Sequence, residues 1–225
     1  MPLWLQGLAV VVLGDVLVYW FHRACHTFGP LWRIHAIHHS AESLDWLAAH
    51  REHPLDGVLT QLCANLPAML MGFDVFQLSA LAAFRGMWSI FIHSNVRVPL
   101  GPLRWLFGAP ELHHWHHARD ERVNHNGSLL APPGANYANT APWLDVLFGT
   151  HHVPDRTDYA LGLREPIPGG YFAQLWYPFR CLASGGARKD PLAPGRGQRR
   201  PMVRAGTRWM GRLGAGKRGG AEPLR

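Results

Sequence analysis

DVLVYWFHRACHTFGPLWRIHAIHHSAESLDWLAAHR, residues 15–51, holds the pattern from which the rest of the chain is read. His22 and His26 form an HxxxH pair, and His35, His38 and His39 form an HxxHH triplet. Residues three or four apart share one face of a helix, so each cluster aims its imidazoles at a common point once it is helical. The HxxHH spacing returns in PELHHWHHARD as His113, His116 and His117. Taken singly, a histidine is most often a hydrogen-bonded core or surface residue. Repetition changes that reading, because independent structural uses do not reproduce a spacing. Neutral imidazole is the commonest biological ligand for zinc, iron, copper and nickel. The 15 histidines in 225 residues therefore point to a metal site. The clusters are internal and interrupted, which rules out a terminal tag.

The ligand type narrows the metal. The three cysteines, Cys25, Cys63 and Cys181, show no clustering or pairing pattern. That argues against a structural zinc knuckle, an iron–sulfur centre or a disulfide framework, and for reduced thiols. Eight or more histidines exceed what one ion needs, so two ions fit better than one. Zinc with three histidines and a water remains compatible with the ligand chemistry.

Outward from the first cluster, residues 3–21 are apolar except for Gln6 and Asp15, at about the length that spans a bilayer. No basic residue precedes the run and no small-residue cleavage site follows it, which disfavours a signal peptide. Tyr19, Trp20 and Phe21 suit a membrane interface. Asp15, seven residues before His22, falls on the same helical stripe, and an acid inside an apolar span is costly and usually functional. It is read as a partner that orients a ligand imidazole, with helix packing as the plainer alternative. Gly29-Pro30 ends the first helix and Leu31 begins the next. Two apolar runs, 55–72 and 75–92, are joined only by Phe73-Asp74 and suggest a membrane hairpin. Pro67 kinks the first arm and Arg85 sits awkwardly in the second. The hairpin would return the chain at His93 to the side of the first clusters, which makes His93 a further candidate ligand. His114 and His125 fall outside the repeated spacing and are left out.

The motif series is DxxxYWxHRxxH at residues 15–26, LWxxHxxHHS at 31–40, RxHPLD at 51–56, HSN at 93–95 and PxxHxxHH at 110–117. With a closing NYAxxxPxLDxLFGT at 136–150, it resembles the fatty acid hydroxylase / sterol desaturase superfamily of membrane di-iron oxygenases. The resemblance covers about residues 1–165. It implies two iron ions held by His22, His26, His35, His38, His39, His93, His113, His116 and His117, with O2 as co-substrate. It implies supporting roles for Arg51, His53, Asn95 and Asn136. Asp145 is read as stabilising the loop around the site, or as an ordinary residue at a helix N-terminus. The expected fold is all-α: an integral membrane protein of about three transmembrane helices, with a cytoplasmic-face, histidine-rich dimetal domain. The segment between Asp120 and Asn136 is longer than that pattern leads one to expect, which bears on any lid or substrate entrance.

After residue 184 the composition changes. Residues 185–225 hold 11 Lys+Arg against 2 acids, a net +9 in a chain of net +7, and are rich in glycine. Such a tail is expected to be disordered and separate from a membrane-embedded domain at 1–184. Attraction to anionic lipid headgroups explains it better than a nucleic-acid arm. The positive-inside rule then puts the tail and the histidines in the cytoplasm: on the inner membrane of a bacterium or the endoplasmic reticulum of a eukaryote. Residues 159–179, rich in proline and aromatics, are expected to cover the core at the interface.

No nucleotide-binding glycine fingerprint is present and no flavin or haem motif, so electrons must come from a separate donor, cytochrome-b5-like or ferredoxin-type. An unactivated lipid C–H bond resists side-chain acids and nucleophiles. A redox metal pair that reduces O2 can take its hydrogen, giving an alcohol, or an alkene after a second abstraction. The substrate is expected to be a fatty acyl, sterol or isoprenoid-type lipid. A zinc hydrolase and a non-enzymatic metal-binding protein are the alternatives; the first lacks an HExxH-type base, and the second would place ligands within the spans. The chain opens on its first motif-bearing span, which leaves a shortened N-terminus or a homodimer as readings.

Overall fold

The first apolar run becomes a single 25-residue helix, α1 (Leu3–Thr27). At 1.5 Å per residue it reaches about 38 Å, longer than the ~30 Å hydrocarbon core, so His22 and His26 ride on its last turns. These coordinates are a computed structural model that describes residues 2–96, 98, 100–118, 135–153, 159–163 and 167–183. All regular elements among them are helical. Phe28, extended, ends α1, and α2 (Gly29–His39) follows at once. Gly29-Pro30 thus opens α2 rather than separating it from α1, since proline's missing N–H costs nothing in a first turn.

A 3-10 turn at Ala48–His50 leads to α3 (Pro54–Leu70), which contains Pro67. The next helix, α4 (Val75–His93), starts with a reciprocal cap. The Asp74 carboxylate accepts the Gln77 N–H at 2.8 Å, and Gln77 Oε1 accepts the Asp74 N–H at 2.9 Å. After a second 3-10 segment (Gly101–Trp105) come α5 (Pro110–His117), α6 (Trp143–Leu147) and α7 (Tyr171–Ala183). Among the described residues two helices, α1 and α4, are long and apolar enough to cross a membrane. At 17 residues α3 is shorter.

Packing gathers the helix ends that carry histidine. α1 lies along α3 and against α2, α4 meets α5, and α7 leans on α2. Gly14 permits the α1–α3 approach: a Cβ there would run into the Ala64 carbonyl and the Arg85 guanidinium. Small residues at membrane-helix contacts serve the same end. Arg85 is accommodated by Asn65 Oδ1 at 3.2 Å and the Val10 carbonyl at 3.3 Å.

Two sequence expectations change here. Asp15 reaches no imidazole; it accepts a hydrogen bond from Thr140 Oγ1 at 3.3 Å and lies in the field of Arg85. Seven residues along one stripe are about 10 Å along the axis, beyond the reach of an aspartate. Tyr19 is not at an interface but fully buried with Tyr137 and Leu144, its hydroxyl 2.8 Å from Thr150 Oγ1 and 3.0 Å from Arg23. Trp20 remains 41% exposed and packs its edge on Phe148. Elsewhere α1, α3 and α4 turn large apolar residues outward, among them Leu8, Val58, Leu62, Phe76 and Met87.

Candidate metal centre

The three clusters and His93 converge at one end of the bundle, and all nine imidazoles are buried. They separate into two groups. His22, His26, His35, His39 and His116 form one, and His38, His93, His113 and His117 the other; within each, the ligand atoms lie within 4.8 Å of one another. The rings of His39 and His117 stack across the boundary at 4.4 Å.

Helix geometry decides the partition. On α2, His35 and His39, a full turn apart, enter the five-histidine group, whereas His38 turns toward the four-histidine group. On α5 the same spacing works in reverse: His113 and His117 enter the four-histidine group, and His116 the other. Each HxxHH helix therefore supplies both groups.

Five of the outward nitrogens are held by oxygen. Nδ1 of His22 donates to the Tyr137 carbonyl at 2.8 Å, of His116 to Ala135 at 2.8 Å, and of His93 to Ser89 at 2.7 Å. His38 Nδ1 donates to the Arg51 carbonyl at 3.3 Å, and His35 Nδ1 donates to Asp56 Oδ2 at 2.7 Å. A carbonyl can only accept, so these rings carry hydrogen on Nδ1 and leave Nε2 bare. Burial first, then the neighbouring imidazoles, hold His38, His39, His113, His116 and His117 well below the ordinary 6.5. They are neutral at pH 7, the form that binds metal.

The inward nitrogens test whether an ion fits. His22 and His35 Nε2 stand 3.1 Å apart, His38 and His93 Nε2 3.1 Å, His93 and His113 Nε2 2.9 Å, and His39 and His116 Nε2 3.1 Å. In the first two pairs neither nitrogen has a hydrogen to offer, so two lone pairs face each other and a shared cation relieves them. His26 Nε2 is buried with no hydrogen-bond partner among the described residues. Nitrogens at right angles around an ion with ~2.1 Å bonds lie about 3.0 Å apart, against about 3.4 Å for tetrahedral zinc. The observed separations are short enough for the nitrogens of each group to share one ion. A cavity of about 70 Å³ touches both groups, through His22 and His35 on one side and His38, His93 and His113 on the other. Its walls include Val18 and Phe21 of α1, Thr60 of α3 and Ser89 of α4.

The other candidates fall as follows. Arg51 contributes its carbonyl to His38, while its side chain, exposed, donates to Ser40 Oγ at 2.9 Å. His53 caps α3, accepting the Leu55 N–H at Nδ1 and donating through Nε2 to the Leu175 carbonyl of α7. Asn136, left-handed at φ 54°, donates to the Leu112 and His152 carbonyls and accepts the His152 N–H. Asp145 accepts the N–H groups of Tyr137 and Ala138 and the Thr150 hydroxyl. Burial pushes its carboxyl up to about 6 against those three bonds. Together Asn136 and Asp145 tie down the loop whose carbonyls hold His22 and His116. Asn95 is exposed just past α4, with no side-chain hydrogen bond among the described residues. His114 bonds Tyr159 Oη and the Ser94 carbonyl outside both groups. His125, the long segment before Asn136 and the basic tail lie outside the described residues.

Asp56 was missed. Its signal was Pro54, which starts a helix and places Asp56 in the first turn, facing His35. The carbonyl partners from residues 135 and 137 carry no signal in side-chain identity.

A family model described as Fatty acid hydroxylase matches residues 7–150. The chain is 32% identical over 182 residues to an ornithine lipid hydroxylase of Rhizobium tropici, covering 79% of this chain and 51% of that protein. It is 30% identical over 164 residues to an alkylglycerol monooxygenase of Xenopus tropicalis, covering 73% of this chain and 33% of that one. It is 29% identical over 147 residues to a very-long-chain aldehyde decarbonylase of Oryza sativa, covering 64% and 52%. The chain thus spans about half, or less, of the length of these relatives. No solved structure matches it.

Proposed function

Because the chain belongs to the fatty acid hydroxylase family, we propose that it is a membrane-bound lipid hydroxylase with a dinuclear iron centre. The observation that carries this reading is the pair of buried groups, nine imidazoles in all, in which the Nε2 atoms of His22 and His35, and of His38 and His93, face each other with no hydrogen between them. His22, His26, His35, His39 and His116 would hold one ion, and His38, His93, His113 and His117 the second. Bound iron would supply the reductive activation of O2 that a saturated C–H bond requires. A purified sample could carry zinc on the same ligands.

The protein's own part is positional. Hydrogen bonds at Nδ1 fix five of the imidazoles before any ion arrives, and burial excludes water from the inward nitrogens. The cavity walls of Val18 and Phe21 belong to an apolar helix, which suits a lipid chain entering from the bilayer. Hydroxylation balances as R–H + O2 + 2 electrons + 2 H+ giving R–OH and water, with the electrons from a separate donor. Hydroxylation is favoured over desaturation because the relatives named above include an ornithine lipid hydroxylase and an alkylglycerol monooxygenase.

Membrane residence is supported by α1 and α4 and by the apolar residues that they and α3 leave exposed. We place α3 in the bilayer as a third, short span paired with α4. The positive balance of residues 185–225 supports a cytoplasmic histidine end. The test is turnover of the iron-loaded chain in lipid nanodiscs under 18O2 with a chemical reductant. One 18O per product, dependent on both iron and reductant, is expected. Label drawn from water instead would make the protein a hydrolase.

A further inference from the structure

Helix α7 takes no part in either histidine group, yet the fold holds it in place. It leans on α2, and its Leu175 carbonyl accepts the Nε2 hydrogen of His53 at 3.2 Å. His53 is the cap of α3, so this bond fixes α7 at the level where an apolar helix begins. The apolar stretch of α1 ends at that level with His22, and α4 ends there with His93, since both imidazoles join α2 in the two groups. One face of α7 packs inward through Leu175 and the buried Pro178. The other carries Phe172, Trp176 and Phe179, spaced i, i+4, i+7, at 76%, 61% and 43% exposure.

Three aromatic rings have no reason to face water, and two features identify what covers them. One is height: α7 is tied to the boundary where the apolar helices end, and aromatic side chains collect at that level of a bilayer. The other is charge. Arg180 is exposed beside the aromatic face, and residues 185–225, which begin just beyond the helix, carry a net +9. A protein partner would explain the rings without explaining the height or the charge. Acidic headgroups answer to all three.

We propose that α7 is an in-plane membrane anchor: Phe172, Trp176 and Phe179 seat in the headgroup–acyl boundary of a lipid surface, with Arg180 and the basic residues after it drawn to acidic headgroups. The proposal rests on the membrane reading above. Anchoring there fixes how deep the histidine end sits, because α7 is joined to α2 and to the start of α3.

The test uses the full, iron-loaded chain in vesicles of phosphatidylcholine with one quarter phosphatidylglycerol. The chain has ten tryptophans, so the signal of Trp176 is the difference between the protein and its W176F variant, a change mild enough to keep the fold. Acyl chains brominated near the glycerol end should reduce that difference signal by roughly half, with aqueous iodide leaving it almost untouched. Quenching by iodide and not by bromine would overturn the proposal, since the face would then lie in water. Protection from both would overturn it in favour of a protein cover such as a second copy of the chain. A carbonate wash separates the two levels of inference. Chain stripped from the vesicles refutes the membrane reading and the anchor together. Chain retained with Trp176 in water refutes the anchor alone.

Discussion

The five-histidine group anchors three of its rings through Nδ1, and one of those anchors is the carboxylate of Asp56. The four-histidine group anchors two, one of them by a 3.3 Å contact, and leaves His113 Nδ1 buried with no partner among the described residues. Both groups use the same HxxHH spacing, on α2 and α5, so helical periodicity does not separate them. What separates them is what lies behind the rings. A carboxylate behind an imidazole makes it a stronger donor, and full anchoring lowers the cost of ordering it around an ion. The first group is therefore expected to hold its ion more tightly, and the second to be the more adaptable.

The most damaging way to probe this is to cross the helices. His38 lies on α2 but joins the four-histidine group; His116 lies on α5 but joins the other. His38→Ala and His116→Ala should each abolish turnover, and each should remove about one of two ions by metal analysis. The double variant should lose little further activity, because residues acting as a unit are far from additive. Two ions and full turnover surviving either change would break the partition.

Acid should come next. In the metal-free protein, His39 and His116 of one group and His38, His113 and His117 of the other are held well below 6.5 by burial and by one another. Below pH 6.5 the unfolded chain binds protons that the folded chain refuses, so stability is full above that value and falls as the pH drops. Each such histidine adds about 1.4 kcal/mol per pH unit to the slope. Thermal unfolding of the metal-free chain from pH 8 to 5 should show this, and His117→Ala should flatten it by about one proton. An unchanged slope would mean that water already reaches the four-histidine group.

A gentler change sharpens the contrast in anchoring. Asp56→Asn keeps the shape at His35 and removes the charge, and should weaken the five-histidine ion by about 10–100-fold in a chelator competition. The other ion should change far less; equal weakening would show that Asp56 supports the whole helix end. The smallest effect is expected at His114→Ala, which loses bonds to Tyr159 and Ser94 outside both groups. It should cost about 1–3 kcal/mol of stability in a melt with both ions retained. Loss of an ion would extend the centre beyond nine histidines.

These contrasts also mark what the sequence could carry. Spacing named eight of the nine histidines, because i, i+3 and i+4 place side chains on one face whatever the tertiary fold, and the return of the apolar hairpin added His93. Spacing could not say that HxxHH splits, sending two rings to one side and one to the other, since that depends on where α2 and α5 meet. It chose Asp15 over Asp56 as the orienting acid, because a shared stripe is visible in a sequence and a distance along the axis is easily overlooked. The backbone carbonyls behind His22, His38, His93 and His116 were beyond reach, as any residue type supplies one. Aromatic residues near a span end were read as interfacial, yet Tyr19 is core because Tyr137, 118 residues later in the chain, folds back over it.

That return of the chain bears on the order of events during synthesis. His116 Nε2 meets His39 Nε2 across 77 residues, and His22 packs on His116 at 4.3 Å between ring centres. Neither group has its full set of ligands until α5 has left the ribosome, by which time the apolar helices have already been made. A newborn chain must therefore keep the six earlier helix-end imidazoles apart from stray ions while it waits for His116 and its neighbours. Long-range closure of this kind comes late in folding, which makes metal capture the step that ends assembly rather than one that begins it.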